Sequence, residues 1–182
     1  MGHRPDFCQP DVVHHADFGL LVLRLGIGLT VCLHGLNKVF GGGKLAGTAA
    51  WFASIGMKPG WLHARMAAGT EIGAGLLLAA GLVTPLAAAG IIALMLVAAI
   101  TAHRRNGFFI FRPGGGWEYV MVLAIAAFAI AAIGAGAWSI DAALGWDVDG
   151  WWGAIVAAAV GLGGGALFLA AFYRPEPEKA GA

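Results

Sequence analysis

The chain has 182 residues, enough for one domain, and it is far more apolar than a soluble protein. Hydrophobic residues make up 59% of it, charged residues make up 12%, and the mean hydropathy is +0.79. Soluble domains carry about twice that charged fraction, roughly 25%. The net charge is +1 and no basic run occurs, so nothing argues for a nucleic-acid partner. Such a composition predicts that the lipid bilayer is the main partner.

Several stretches with few or no charges are long enough to cross the hydrocarbon core, which takes about 20 residues. We place the membrane spans at the following positions: 18–39, 62–82, 85–103, 118–134 and 151–173. The second and third spans divide at a short turn, where Thr84 can cap the next helix and Pro85 suits its first position. The sequence therefore predicts an all-α integral membrane bundle.

The connection before the last span has the pattern of a short helix. Ser139 can cap it, Asp141 favours its first turn, and Gly145 can end it. Trp138 and Trp146 flank it, and tryptophan is enriched at the membrane–water boundary. We expect a short helix that lies at the interface.

Basic residues in the loops predict the orientation of the chain. Loops 39–61 and 104–117 carry lysine and arginine, whereas the connections at the other ends of the spans carry neither. Because cytoplasmic loops are enriched in these residues, we expect both basic loops to be cytoplasmic.

Glycines four residues apart let helices approach closely in lipid. The second span has such a pair in Gly69 and Gly73, and the last span has one in Gly161 and Gly165. Both pairs are predicted helix contacts.

Polar side chains inside the spans are the candidate functional residues, because a charge near the bilayer centre costs about 3 kcal/mol or more. Glu71 lies near the middle of the second span, and it is the candidate catalytic group together with His34. The candidate ligand-binding residues are Lys38, His103, Asn106 and Glu118. Simpler interpretations stay open: Lys38 can extend to the interface, Glu118 can complement a helix N-terminus, and His103 can mark a span end.

Arg24 lies about two turns inside the first span, and Asp141 lies in the outer connection. The pair predicts a structural salt bridge between the first span and this connection. No motif predicts a metal site, and no phosphate-binding loop, dinucleotide-binding motif or nucleophile elbow occurs.

The candidate residues suit a quinone, which needs an apolar slot for its tail and polar groups for its carbonyl oxygens. Histidine and a carboxyl group can supply those contacts and move protons. Ligation of haem iron by His34 and His103 is a less favoured alternative.

At these residues the sequence resembles the DoxX family of small bacterial membrane proteins, over residues 18–144. The resemblance rests on the order and spacing of these segments: 23–28, 34–38, 69–78, His103 with 106–109, Glu118 and 134–141. It implies a four-helix membrane core at 17–145 in the bacterial plasma membrane. A polar segment at 1–16 would precede this core. An added fifth transmembrane helix with a short polar tail would follow it at 146–182.

The family is similar to the DoxD subunit of thiosulfate:quinone oxidoreductase. Some members are partners of redox-defence enzymes, namely superoxide dismutase and a sulfurtransferase. The resemblance therefore implies a component of a quinone-linked redox or sulfur-stress and oxidative-stress system, with quinone as the candidate cofactor. Two alternatives stay open, a scaffold that recruits soluble oxidoreductases and, less favoured, a small-solute transporter. A homo-oligomer could supply what one copy lacks.

Overall fold

A computed structural model describes residues 10–146 and 148–175, with side chains described from residue 15 onward. These residues form helices, and the β-structure among them is limited to an isolated antiparallel bridge between Met57 and Tyr173. The α-helices are α1 (Pro10–Phe40), α2 (Lys44–Ser54), α3 (Gly60–Ala80), α4 (Thr84–Ala98), α5 (Glu118–Ile133), α6 (Ile140–Leu144) and α7 (Gly150–Phe172). A π-helical turn (Ala99–His103) and a 3₁₀ turn (Arg104–Asn106) extend α4.

Five of these helices, α1, α3, α4, α5 and α7, correspond to the predicted spans, which confirms an all-α membrane bundle. Three segments are long and apolar enough to cross a membrane: His15–Phe40, Thr84–Asn106 and Gly150–Phe172. Helix α5 is apolar but has only 16 residues. Helix α3 has 21 residues and carries several polar side chains, Glu71 among them.

Helix α4 lies at the centre of the bundle and packs against α3, α5 and α7. Helix α1 packs against the opposite side of α3. The main core consists of aliphatic side chains, with Val31 from α1, Leu78 from α3, Ile91 from α4 and Ile130 from α5. The bundle therefore has a basic end, which carries 41–59 and 104–117, and an opposite end, which carries 81–83, 134–146 and 148–149.

Two boundaries differ from the sequence expectations. Helix α1 begins at Pro10, inside the segment 1–16 that was expected to be a polar N-terminal region. The first basic loop is not irregular, because α2 forms within it and buries Phe52 against Met57 and Ala64. The rest of the N-terminal segment and the polar tail, residues 1–9 and 176–182, lie outside the described residues.

The expected short helix near the interface is α6, with the predicted start and end. The Ser139 hydroxyl oxygen accepts a hydrogen bond from the Ala142 amide at 3.1 Å. Gly145 ends the helix with φ at +67°, in the left-handed region that favours glycine.

Thr84 does not cap α4, which corrects the expectation for this turn. Asp141 caps α4 from a distant part of the chain instead. Its carboxylate accepts hydrogen bonds from the amides of Val83 (2.7 Å) and Thr84 (2.9 Å) and from the Thr84 hydroxyl (2.7 Å). A carboxylate at this position also complements the positive end of the helix dipole.

The expected salt bridge between Arg24 and Asp141 is also corrected. Arg24 is fully buried and donates a hydrogen bond to the Trp138 carbonyl oxygen at 2.6 Å. Asp141 binds backbone at the start of α4, and no ion pair joins it to Arg24 among the described residues. Each residue therefore ties the outer connection to a helix through backbone groups.

The two glycine pairs have different outcomes. Gly161 and Gly165 of α7 lie against α4, where an added Cβ would touch Ile92 and Leu96. Gly69 and Gly73 have no atom of the described residues within 4 Å of an added Cβ, so their predicted contact with another helix of this chain is wrong. Helices α1 and α3 cross at Gly28 and Gly75 instead, where a Cβ on either residue would overlap the backbone of the other helix.

Candidate functional site

A cavity of about 290 Å³ lies inside the bundle toward the basic end. Each of the helices α1, α2, α3, α4, α5 and α7 contributes to its wall. Most of the lining is apolar, with Val31, Met95, Leu123 and Phe168 as examples. Polar side chains interrupt this lining at a few points. These include His34, Lys38, Glu71 and His103, so four of the predicted site residues meet at one cavity.

Lys38 and Glu71 form an ion pair across the α1–α3 contact. The Lys38 Nζ lies 2.7 Å from both carboxylate oxygens of Glu71. Their side chains are 21% and 10% exposed, so the pair is largely shielded. Gly35 allows this approach, because a Cβ at that position would come within 2.9 Å of the Glu71 Cβ. His34 shares the same region of α1 but is exposed at the rim.

A second polar group on the cavity wall joins His103 to Tyr119 of α5. The His103 Nδ1 lies 3.0 Å from the Gly115 carbonyl oxygen, and its Nε2 lies 3.1 Å from the Tyr119 hydroxyl. A carbonyl oxygen only accepts, so Nδ1 carries the proton in this hydrogen bond. In the neutral imidazole the Tyr119 hydroxyl then donates to Nε2. The two side chains form a hydrogen-bonded relay that ends at the cavity.

A π-helical turn places this histidine. The turn covers Ala99–His103, and Thr101 and His103 from it line the cavity. Short π-helical segments inside α-helices occur frequently at functional sites. Here the wider turn ends α4 beside the cavity.

Asn106 and Glu118 do not line the cavity. The Asn106 amide nitrogen donates to the carbonyl oxygens of Gly114 (2.9 Å) and Gly115 (3.0 Å), and a Glu118 carboxylate oxygen accepts from the Ile110 amide at 3.0 Å. Both residues hold the second basic loop. Asn106 also fixes the carbonyl that orients His103, so it acts on the cavity through another residue.

Two cavity residues were not among the candidate site residues predicted from the sequence: His63, which the sequence placed only at the same end of the bundle, and Tyr119. His63 lies in the first turn of α3 and Tyr119 near the start of α5, where a polar or aromatic side chain usually marks a membrane boundary. No signal in a single sequence separates such a residue from one that points inward. His63 is 2% exposed, so it is a buried group and not a boundary residue.

Apolar helices of spanning length around an internal cavity define the class: this is a helical membrane protein. The family model described as DoxX matches residues 19–104, just under half of the chain. This match supports DoxX family membership through this segment, which runs from α1 to the π-helical turn. Comparison with curated proteins and with solved structures gives no match. Helices α5, α6 and α7 lie beyond the matched segment.

Proposed function

We propose that this membrane protein binds a lipid-soluble quinone in the cavity, as a component of a quinone-linked redox or sulfur-stress system. The observation that carries the proposal is the cavity itself. Its walls are apolar, and its polar groups are concentrated in the Lys38–Glu71 pair and the His103–Tyr119 relay. The resemblance to the DoxD subunit of thiosulfate:quinone oxidoreductase points to the same ligand class.

The size and the donors of the cavity fit a quinone head group. Small-molecule sites commonly have volumes of about 300–1,000 Å³. A cavity of about 290 Å³ is at the lower end, which suits one or two fused rings. Lys38 offers hydrogen-bond donors for a ring carbonyl, and the Tyr119 hydroxyl oxygen can accept a hydrogen bond from a quinol hydroxyl. Haem fits less well, because a porphyrin is larger and both ring nitrogens of His103 already have hydrogen-bond partners.

A bound quinone would accept two electrons and two protons to become the quinol. The electrons would come from a partner oxidoreductase that oxidises a reduced sulfur compound or another cellular reductant. The residues of this chain would position the ring oxygens and handle protons. When His103 is doubly protonated, Tyr119 can pass its hydroxyl proton to a neighbouring oxygen and regain one from the His103 Nε2, which leaves His103 neutral. The ion pair of Glu71 and Lys38 places charged groups on the wall of the same cavity.

The orientation that the sequence predicts would place the basic end on the cytoplasmic side of a bacterial plasma membrane. Protons and soluble partners would then reach the cavity from the cytoplasm. This orientation is part of the proposal, and it rests on the lysines and arginines of the two basic loops.

Quinone binding can be measured through Trp51, because this residue lines the cavity and quinones quench indole fluorescence. The purified full chain in detergent is titrated with short-chain menaquinone and ubiquinone analogues. We expect saturable quenching by at least one analogue. Glu71→Gln, His34→Ala and Tyr119→Phe should each weaken binding severalfold, since each removes a polar group from the cavity wall.

The matched control is Asp149→Asn, which removes a carboxylate at the opposite end of the bundle, where the side chain is exposed. This control should bind as the unchanged protein does. The proposal is wrong if neither quinone binds, or if the three cavity variants bind as tightly as the control.

A second candidate function is a scaffold for soluble oxidoreductases, and the second basic loop favours it. Arg104, Arg105 and Arg112 are exposed there. Beside them the exposed rings of Phe109 and Phe111 stack with centroids 5.1 Å apart. Cationic and aromatic groups together suit an acidic protein surface.

Superoxide dismutase and a sulfurtransferase are the proposed partners of this scaffold. Replacement of the three arginines by glutamine should abolish capture of the purified partner by the membrane protein. Glu71→Gln should leave the capture unchanged. The opposite pattern, in which Glu71→Gln abolishes capture, would exclude a function that depends only on the loop.

A further inference from the structure

His63 is a deeply buried histidine without a polar partner. Its side chain is 2% exposed, and neither ring nitrogen has a hydrogen-bond partner among the described residues. It nevertheless lies on the wall of the cavity. Buried polar groups in proteins are almost always hydrogen-bonded, and inside a membrane no bulk water can take that role.

Aromatic side chains enclose the His63 ring on its other sides. The ring stands edge-on to Phe168 and Phe172 of α7, with centroids 5.2 and 5.1 Å away, and lies 6.4 Å from the ring of Phe52 of α2. These contacts fix the position of the imidazole but satisfy neither nitrogen. His63 also lines the cavity, so a polar partner bound in the cavity would lie next to the ring.

We infer that His63 is a hydrogen-bonding contact for the ring oxygen of the bound quinone, in an aromatic enclosure that α7 completes. This inference rests on the proposed function and adds a residue and a helix to its site. A neutral imidazole has one donor and one acceptor nitrogen. The donor suits the carbonyl oxygen of the quinone, and the acceptor suits the hydroxyl of the quinol.

Helix α7 lies beyond the matched family segment, yet it supplies two of the rings beside His63. Gly164 and Gly165 of the same helix line the cavity as well. Gly165 packs closely on α4, where an added Cβ would come within 3.1 Å of Leu96. The last helix thus forms part of the ligand site.

The test compares His63→Leu and His63→Gln with the unchanged protein, and it uses the short-chain quinone that binds most tightly. His63→Leu should weaken binding about tenfold, equivalent to ~1.4 kcal/mol. His63→Gln keeps a donor and an acceptor and should recover part of the affinity. Without ligand, the melting temperature of His63→Leu should be equal or higher, because no hydrogen bond is lost.

An infrared measurement makes the test independent of folding and of activity. A carbonyl that accepts a hydrogen bond absorbs at lower frequency than a free one. Quinone labelled with ¹³C at its carbonyls should show one such shifted band, which disappears in His63→Leu and is retained in His63→Gln. The matched control is His15→Leu, the same substitution at an exposed position of α1 outside the cavity.

The outcomes separate the two proposals. If the unchanged protein binds no quinone, the proposed function itself fails and His63 loses its assigned ligand. If it binds quinone and His63→Leu keeps both the affinity and the shifted band, the inference about His63 is wrong. A large fall in the melting temperature of ligand-free His63→Leu that His63→Gln restores would also contradict it, since that result means the nitrogens already have partners.

Discussion

The Lys38–Glu71 ion pair should respond unequally to removal of its two members. Lys38→Met leaves a carboxylate whose side chain is only 10% exposed without its counter-charge. Breaking a buried pair in this way typically costs about 3–5 kcal/mol. Glu71→Gln leaves the ammonium group, whose side chain is 21% exposed and long enough to turn toward the interface. It also leaves an amide oxygen as acceptor, so we expect a loss of about 1–2 kcal/mol.

The assay is reversible unfolding in mixed detergent micelles, followed by circular dichroism. The double variant Lys38→Met/Glu71→Gln should lose less stability than the sum of the single variants, by about 1.5 kcal/mol or more, because the second substitution removes the stranded charge. Equal losses for the two single variants, or additivity within about 0.5 kcal/mol, would refute the shielded ion pair.

Two further predictions concern the packing that supports the site. Asp141→Asn should lower the free energy of unfolding by about 2 kcal/mol, because it weakens charge-assisted hydrogen bonds at the start of α4. The control Asp149→Asn removes no capping hydrogen bond. It should change the free energy of unfolding by less than about 1 kcal/mol in the same assay. Gly28→Ala should destabilise the protein by about 1–3 kcal/mol through overlap with α3, whereas Gly26→Ala has free space and should stabilise α1 by about 0.5–1 kcal/mol. Melting temperatures that change in the same direction for both glycine variants would contradict the α1–α3 crossing.

Local signals in the sequence predicted the helices well. Long stretches with few or no charged residues identified the spans. A segment that crosses lipid forms a helix because all of its backbone hydrogen bonds must be made within the segment. The Ser139 cap and the glycine at position 145 predicted α6 to the residue, because both act over three or four residues of chain. Helix α2 was missed, since a glycine-rich start and a short length gave it the pattern of a loop.

Contacts between distant residues were harder to predict. The sequence placed a cap on Thr84, but the cap comes from Asp141, 57 residues away. Arg24 was paired with Asp141 of the outer connection, whereas its hydrogen bond goes to a backbone carbonyl, a partner that every residue offers. Residue types alone cannot choose among such partners, because the choice depends on how the helices pack.

The candidate site was predicted in part. Glu71 and Lys38 were found because a charge inside an apolar span has to be explained by a partner. Their roles in quinone binding stay predictions. His63 and Tyr119 were not chosen as site residues because each lies at the start of a helix, where the interface explains a polar residue equally well. Only the packing of α7 and the π-helical turn show that these side chains point inward.

The position of α7 also determines how a ligand can reach the cavity. This helix closes the side next to α4, and most of the exposed residues of the lining lie elsewhere, with Trp51 on α2 and Met66 and Thr70 on α3. Met66 and Thr70 lie within a predicted membrane span, so we expect this flank of α3 to face lipid. A hydrophobic compound dissolved in the bilayer would then reach the cavity sideways between helices, without first leaving the membrane for water.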